Sequence, residues 1–259
     1  MAQQVAKKAY LSPVAFRFLA HRGLAVSATG EKLDENTALA FDRALEVGAT
    51  HIETDVQASS DGVAVICHDP DLSRIAGVKR KVSDLTAAEL VALPLEHGGH
   101  LMTLEKALER FSGARFNIDI KTEGAIAGTV AAIKKQNAQQ RVLVSSFSEA
   151  RRLSAIGQLP GVATSASASK LLKVWLAWRF NLRTMMTNEL HDIDALQLPT
   201  HRGIIRFDSE KFMREVARHG VELHYWTIND PRLARVLRAR GASGIVSDRT
   251  DIMITALAE

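Results

Sequence analysis

Short apolar runs alternate with longer amphipathic stretches along nearly the whole of this chain. Eight runs read as strands, near residues 16–21, 50–56, 115–121, 141–146, 161–166, 194–198, 221–226 and 243–247. The segments between them carry apolar residues at helical spacing and end on recognisable signals. Thr37 to Val47 closes on Gly48, and Thr86-Ala-Ala-Glu89 has the capping-box pattern, in which two side chains satisfy backbone donors reciprocally. A further helix begins at Asp208 or Ser209, runs to His219 and closes on Gly220. Another is capped by Asp230, has Pro231 at its first position and stops at Gly241. Strands alternating with helices predict a parallel sheet with crossover connections. Eight such units predict an α/β fold, a single (β/α)8 TIM barrel, which takes about 250 residues. The run at 194–198, Asp-Ala-Leu-Gln-Leu, is the least regular of the eight.

One segment departs from the alternation. Asp61-Gly62 lies between Val56-Gln-Ala-Ser-Ser60 and Val63-Ala-Val-Ile-Cys-His68, a signal for a two-residue hairpin turn. It predicts a β-hairpin excursion after the second strand. With Asp61 and Gly62 as the loop, Ser60 pairs with Val63, and Asp55 falls opposite His68 on one face, Cβ atoms about 5 Å apart.

Polar residues collect where a barrel of this kind builds its active site, at the C-terminal ends of the strands. His21, Arg22, Glu53, Asp55, Asp119, Lys121, Trp226 and Asp248 all fall there. Glu53 and Asp55, two apart on a strand, leave on the same face, as do Asp119 and Lys121. Ile52, Ile118 and Ile120 then point toward the helices. Three converging carboxylates repel one another unless positive charge lies between them. A hard divalent cation, Mg²⁺ or Ca²⁺, suits such oxygen donors; ion pairs with Arg22 and Lys121 are the alternative. His21 and His68 are the acid–base candidates, because imidazole exchanges protons near neutrality. His51 shares parity with Glu53 but lies nearer the start of its strand and reads as structural, as do the other six histidines. Arg22 and Lys121 supply fixed positive charge for phosphoryl oxygens. Asn36 suits either orientation of a phosphate oxygen or metal-bound water, or a helix N-cap. Trp226 offers a flat apolar wall for an alcohol moiety, or ordinary packing.

Composition narrows the setting. The chain has 259 residues, 46% of them hydrophobic, and no Pro/Gly/Ser-rich linker, so one domain over 1–259 is expected. Met1 to Ala9 is polar with Lys7 and Lys8, and Pro13 and Arg17 break the apolar stretch that follows, so no signal-peptide core is expected. No run approaches the ~18 uncharged apolar residues of a spanning helix. Cys67 is the single cysteine, which excludes an internal disulfide and suits a reducing cytoplasm. The net charge of +4 favours an anionic substrate weakly, and no nucleic-acid-binding module is recognisable.

The order of motifs is specific. His21-Arg22-Gly23, Glu35-Asn36-Thr37, Glu53-Thr54-Asp55, Asp61-Gly62 and His68-Asp69 come first. Asn117-Ile-Asp119-Ile-Lys121, Ser145-Ser146-Phe147, Trp226-Thr227-Ile228-Asn229 and Gly244-Ile245-Val246-Ser247-Asp248 follow. Over roughly residues 18 to 250 this series resembles the glycerophosphodiester phosphodiesterases. That resemblance implies metal-dependent hydrolysis of glycerophosphodiesters to glycerol 3-phosphate and an alcohol. It implies His21 and His68 as catalytic residues, Glu53, Asp55 and Asp119 as metal ligands, and Arg22, Asn36, Lys121 and Trp226 as substrate-binding residues. The third acid is usually glutamate in that family; Asp119 has a shorter arm, which leaves the metal preference open. Cleavage of lipid headgroups, as by a lysophospholipase D or a sphingomyelinase D-like enzyme, is the alternative activity, and a non-catalytic phosphate-binding barrel is the remaining class.

The stretch Lys170 to Arg183 stands apart. Leu171, Trp175, Trp178 and Leu182 form one helical stripe flanked by Lys170, Lys173 and Arg183. It reads either as a crossover helix packed on the sheet or as a basic amphipathic helix in peripheral contact with a membrane. The sequence leaves the oligomeric state open.

Overall fold

In the structure, a computed structural model, residues 8–13, 15–26 and 30–258 are described. The polar segment through Lys7 lies outside them. All eight apolar runs form strands. In chain order the strands are β1 (Arg17–His21), β2 (His51–Ala58), β3 (Ala64–Ile66), β4 (Phe116–Ile120), β5 (Val142–Ser145), β6 (Ala163–Thr164), β7 (Ala195–Leu198), β8 (His201–Arg202), β9 (Ile205–Arg206), β10 (Glu222–Tyr225) and β11 (Gly244–Ser247). Parallel pairing runs β6-β5-β4-β2-β1-β11-β10-β7. A parallel bridge between Ser165 and Ala195 brings the two ends together, with Asp194 N donating to Thr164 O at 2.8 Å. The result is a nearly closed parallel eight-stranded barrel with helices between its strands.

The helix signals act as their chemistry requires. Thr86 and Glu89 form the capping box, Ser209 caps Glu210–Arg218, and Asp230 caps Pro231–Arg240 ahead of a left-handed Gly241. Ahead of Ala38–Glu46 the N-cap is Thr37 and not Asn36, so Asn36 is released for another task. Outward faces of the strands bury Ile52, Val56, Phe116, Ile118 and Ile120 against the helices on one side of the barrel. Leu196, Leu198, Leu223, Tyr225 and Ile245 do the same on the other. At the N-terminal end of the barrel a short turn, Ala9–Leu11, brings Tyr10 edge-on to His51 at 4.8 Å. Nearby, buried Arg17 bonds both carboxylate oxygens of buried Glu222 at 3.2 Å. Burial pushes the His51 imidazole down to about 3, which suits a neutral structural ring.

One expectation is corrected. The hairpin is present, β2 pairing antiparallel with β3, but its register is Val56–Ile66, Gln57–Val65 and Ala58–Ala64. Ser59 N bonds Val63 O at 3.0 Å, so the loop is three residues, Ser60-Asp61-Gly62, with Gly62 at φ +77°. A left-handed third residue is the usual closure of a three-residue loop, and glycine takes it without strain. Asp61 is drawn out of a simple turn by Ser59 Oγ at 2.6 Å and Ala87 N at 2.9 Å. Asp55 therefore sits opposite Cys67, whose N bonds Asp55 O at 3.0 Å, and His68 lies beyond the ladder. The stretch Ala168–Arg179 is a crossover helix packed on the barrel, the first of its two readings. Leu171, Trp175 and Trp178 pack inward against the barrel's helical layer, and Lys170 is buried in ion pairs with Glu189 and Asp192.

Candidate active site

Register brings the polar strand ends together. In the parallel ladders His21 lies alongside Glu53, and Asp55 alongside Asp119. The turn that follows β1 is tight. Arg22 stands at φ +59° and Gly23 at φ +84°, and a Cβ on Gly23 would come within 2.7 Å of the Ala40 backbone. Only glycine fits between this turn and the first helix. Arg22 O in turn accepts from Asn36 N at 2.8 Å, and Asn36 is itself left-handed at φ +60°. Non-glycine residues in this region cost about 1–3 kcal/mol each and are retained where their neighbours hold them. Here the neighbour is Thr54, whose hydroxyl donates to Asn36 Oδ1 at 2.7 Å and turns the amide nitrogen toward Asp55 Oδ2, 3.4 Å away.

Charge is densely packed in the centre. Lys121 Nζ sits 2.7 Å from both Asp55 and Asp119. Arg22 Nε lies 3.3 Å from Asp55 Oδ2, an ion-pair distance without hydrogen-bond alignment. Burial alone would raise the Asp55 carboxyl, but Lys121 and Arg22 hold it below the usual carboxylate range. Asp119 is raised, because burial outweighs Lys121, and one of its oxygens is buried without a hydrogen-bond partner. Glu53 is raised by burial and by the neighbouring Asp55 charge; its carboxylate accepts a long bond from Arg22 N at 3.3 Å. As arranged, no three His, Cys, Asp or Glu groups among the described residues form a metal cage, since the Lys121 ammonium lies between two of the acids.

Two histidines border this cluster, each oriented by a carboxylate. His21 Nδ1 is 2.5 Å from Asp248 Oδ1, and His68 Nδ1 is 2.6 Å from Asp69 Oδ1. Burial would depress the His21 imidazole, but the bond to Asp248 and the charge of Glu53 raise it above its ordinary value. The charge of His68 helps to lower the Asp55 carboxyl, as the charge of Glu53 helps to raise His21. His68 reaches this place through the bend after β3, with Gln57 Nε2 holding its carbonyl at 2.9 Å.

Of the orienting groups, Asp248 was visible among the polar strand ends without a role, and Asp69 and Asn229 only as motif members. Asp248 Oδ2 accepts from Asn229 Nδ2 at 2.7 Å, and Asn229 Oδ1 accepts from the Asp248 backbone and Ser247 Oγ, both at 2.9 Å. On the other side Arg74 bonds Asp69 Oδ2 and Glu35 Oε1, both at 2.6 Å, and Glu35 also binds Arg22 at 3.0 Å. A relay of alternating charge thus links Arg22 to His68. No motif contains Arg74. Trp226 is half-buried and meets Phe147 edge-on at 6.3 Å; Phe147 is 58% exposed and lies 5.9 Å from Lys121 Nζ. Together the two rings form an aromatic rim beside the cationic centre.

Comparison with known proteins shows the family. The model of the glycerophosphoryl diester phosphodiesterase family matches residues 21–252. The chain belongs to that family. It is 36% identical over 236 residues to a probable glycerophosphodiester phosphodiesterase 2 of Mycobacterium tuberculosis, covering 91% of this chain and 88% of that one. An Oleispira antarctica phosphodiesterase, solved in complex with the product sn-glycerol-3-phosphate, superposes with a TM-score of 0.76 at 25% identity, covering 94% and 97% of the two chains. A rat lysophospholipase D is 31% identical over 139 residues, 49% of this chain and 41% of its own length. No helix among the described residues is long and apolar enough to cross a membrane.

Proposed function

We propose that this phosphodiesterase-family protein hydrolyses glycerophosphodiesters to glycerol 3-phosphate and an alcohol. The observation that carries the reading is the pair of carboxylate-oriented histidines beside a cluster of three buried acids and two fixed cations. Arg22 and Lys121 would hold the phosphoryl oxygens and oppose the negative charge that builds in the transition state. With Nδ1 of each ring engaged by Asp248 or Asp69, Nε2 is the nitrogen left to exchange a proton. One ring takes the proton of the attacking hydroxyl, either water or the substrate's own neighbouring hydroxyl. The other donates a proton to the departing alkoxide. Asn36 would steady a phosphate oxygen, and the Trp226 and Phe147 rings would flank the alcohol.

The donor set Glu53, Asp55 and Asp119 fits a hard divalent cation. All three offer oxygen, Asp119 carries an unpartnered buried oxygen, and burial makes unneutralised charge at Glu53 unfavourable. When bound, Mg²⁺ or Ca²⁺ would polarise the phosphoryl group and organise its oxygens. The exposed Phe147 beside the site also favours a second reading, in which the substrate is a lysophospholipid, its headgroup alcohol leaves and the phosphate stays on the acylglycerol. Release of glycerol 3-phosphate from glycerophosphocholine, measured before and after EDTA and after Mg²⁺ or Ca²⁺ is returned, tests the proposal. Loss on chelation with recovery is expected. Unchanged release in EDTA would overturn the metal assignment, and no release from any diester would overturn the activity.

A further inference from the structure

The inward turn of Trp175 and Trp178 leaves a different apolar row on the outside of Ala168–Arg179. Leu172, Leu176 and Phe180 are four residues apart and so share one face. Leu172 is 45% exposed and Phe180 64% exposed, with Leu176 half-exposed between them. The hairpin of β8 and β9 lies next to this helix, because Trp175 Nε1 donates to Arg206 O at 3.2 Å. Ile204 stands at the tip of that hairpin, fully exposed at 100%.

The helix does not simply return to the far end of the barrel. Ala168 N bonds Phe147 O at 3.3 Å, at the rim of the active site. Trp175 is tied to the hairpin that follows β7, and Trp178 packs at 5.3 Å on Phe212, in the first turn of the next helix. All three anchors belong to the C-terminal end of the barrel, where the catalytic groups lie. The outer apolar row is therefore carried along the rim of the site.

Exposed Arg179 and Arg183 give this stretch positive charge, whereas Lys170 is buried against Glu189 and Asp192 and Lys173 pairs with Glu189 at 3.7 Å. The hairpin adds exposed His201 and Arg202, with no acid between Ala195 and Phe207. Exposed aliphatic and aromatic side chains beside exposed Arg179, Arg183 and Arg202 match an anionic lipid surface, where apolar groups enter the acyl boundary and cations meet the headgroups. We propose that Leu172, Leu176, Phe180 and Ile204, with Arg179, Arg183 and Arg202 around them, form a face that docks the protein on anionic membranes with its active site at the bilayer surface. The face builds on the phosphodiesterase reading only for its biological use, since docking requires no turnover.

Flotation with vesicles of equal parts phosphatidylglycerol and phosphatidylcholine, against pure phosphatidylcholine, tests it. Wild type is expected to float with the anionic vesicles and to be released at about 1 M salt, where the Debye length falls to about 3 Å. The exposed triple variant Leu172→Ser, Phe180→Ser, Ile204→Ser should lose vesicle affinity by at least about tenfold. Its turnover of glycerophosphocholine should stay at the wild-type level. Arg179→Glu with Arg202→Glu should weaken binding by roughly fivefold or more per cation. Failure of wild type to float, or equal binding by the triple variant, would overturn the proposal. So would a dimer abolished by the triple variant without vesicle binding, which would assign the face to a second copy. Turnover is measured separately, so absence of activity would not be mistaken for absence of docking.

Discussion

Replacing Asp248 by asparagine should disable His21 without disturbing the barrel. In the wild-type protein Asp248 Oδ1 faces His21 Nδ1 at 2.5 Å, and Oδ2 accepts from Asn229 Nδ2 at 2.7 Å. The Asn229 amide cannot turn over, because its oxygen already serves Ser247 Oγ and Asp248 N, both at 2.9 Å. In Asp248→Asn the new carbonyl oxygen must therefore take the place facing Asn229, which aims the new NH₂ at His21. Nδ1 becomes an acceptor and the proton moves to Nε2, the nitrogen that should exchange it. The imidazolium is also disfavoured, since it would set two donors against each other. A general base in the wrong tautomer, or an acid that cannot hold its proton, loses about 10² to 10⁴ in rate. At about 1.36 kcal/mol per decade that is about 2.7–5.4 kcal/mol of transition-state stabilisation. Asp248 raises the His21 imidazole, so its loss lowers it, and whichever limb of the pH–rate profile His21 sets moves to lower pH. The assay is kcat/KM for glycerophosphocholine across pH, with thermal unfolding to show that the fold persists. Wild-type kcat/KM in the variant, or an unmoved profile, would refute the reasoning.

Arg74→Ala should lower kcat by about tenfold at unchanged cooperative unfolding, because Asp69 and Glu35 lose the guanidinium they share; wild-type kcat would show that the relay positions nothing. Saturating Mg²⁺ or Ca²⁺, near 100 times its Kd, should stabilise the wild type by about 2.7 kcal/mol, a rise in Tm of roughly 5–10 °C. The Glu53→Gln, Asp119→Asn double variant should show no such rise, and a wild-type Tm indifferent to both metals would contradict the site. Glu222→Ala should cost about 3–5 kcal/mol in urea denaturation, since it strands buried Arg17. Burial would raise the Glu222 carboxyl, but the bonds from His224 and Arg17 hold it well below the usual range. Its contribution is thus present above about pH 4.3 and fades as pH falls toward the depressed value. Glu222→Gln should accordingly narrow the gap between urea midpoints at neutral pH and near pH ~3, and an unchanged gap would refute the linkage.

The barrel was legible because its signal is repeated and local. Each strand is an apolar run and each helix carries its own cap, so even the short 194–198 run was found from its place in the alternation. The site was legible for the same reason: parallel strands put their C-terminal residues on one end, so His21, Glu53, Asp55, Asp119 and Lys121 had to meet. What failed depended on contacts from elsewhere in the chain. Asp-Gly fits a two-residue turn as well as the end of a three-residue one, and the choice was made by Asp61 bonding Ala87, 26 residues away. Helical spacing gave the stripe of Leu171, Trp175 and Trp178 that packs inward, but not the second row, Leu172, Leu176 and Phe180, outside it. The inward row is the one that meets Phe212 and its neighbours. Arg74 gave no signal because its role lies in joining Glu35 and Asp69, a geometry created only when the segment after β3 folds back over the first turn.

The most direct test of the central claim is the rate of sn-glycerol 3-phosphate release from glycerophosphocholine by wild type, His21→Ala and His68→Ala. The three should be compared at equal protein concentration in the same divalent metal. The account predicts turnover by wild type and a loss of about 10² to 10⁴ in each variant, with all three still folding cooperatively. Either variant turning over at the wild-type rate would contradict catalysis by paired histidines.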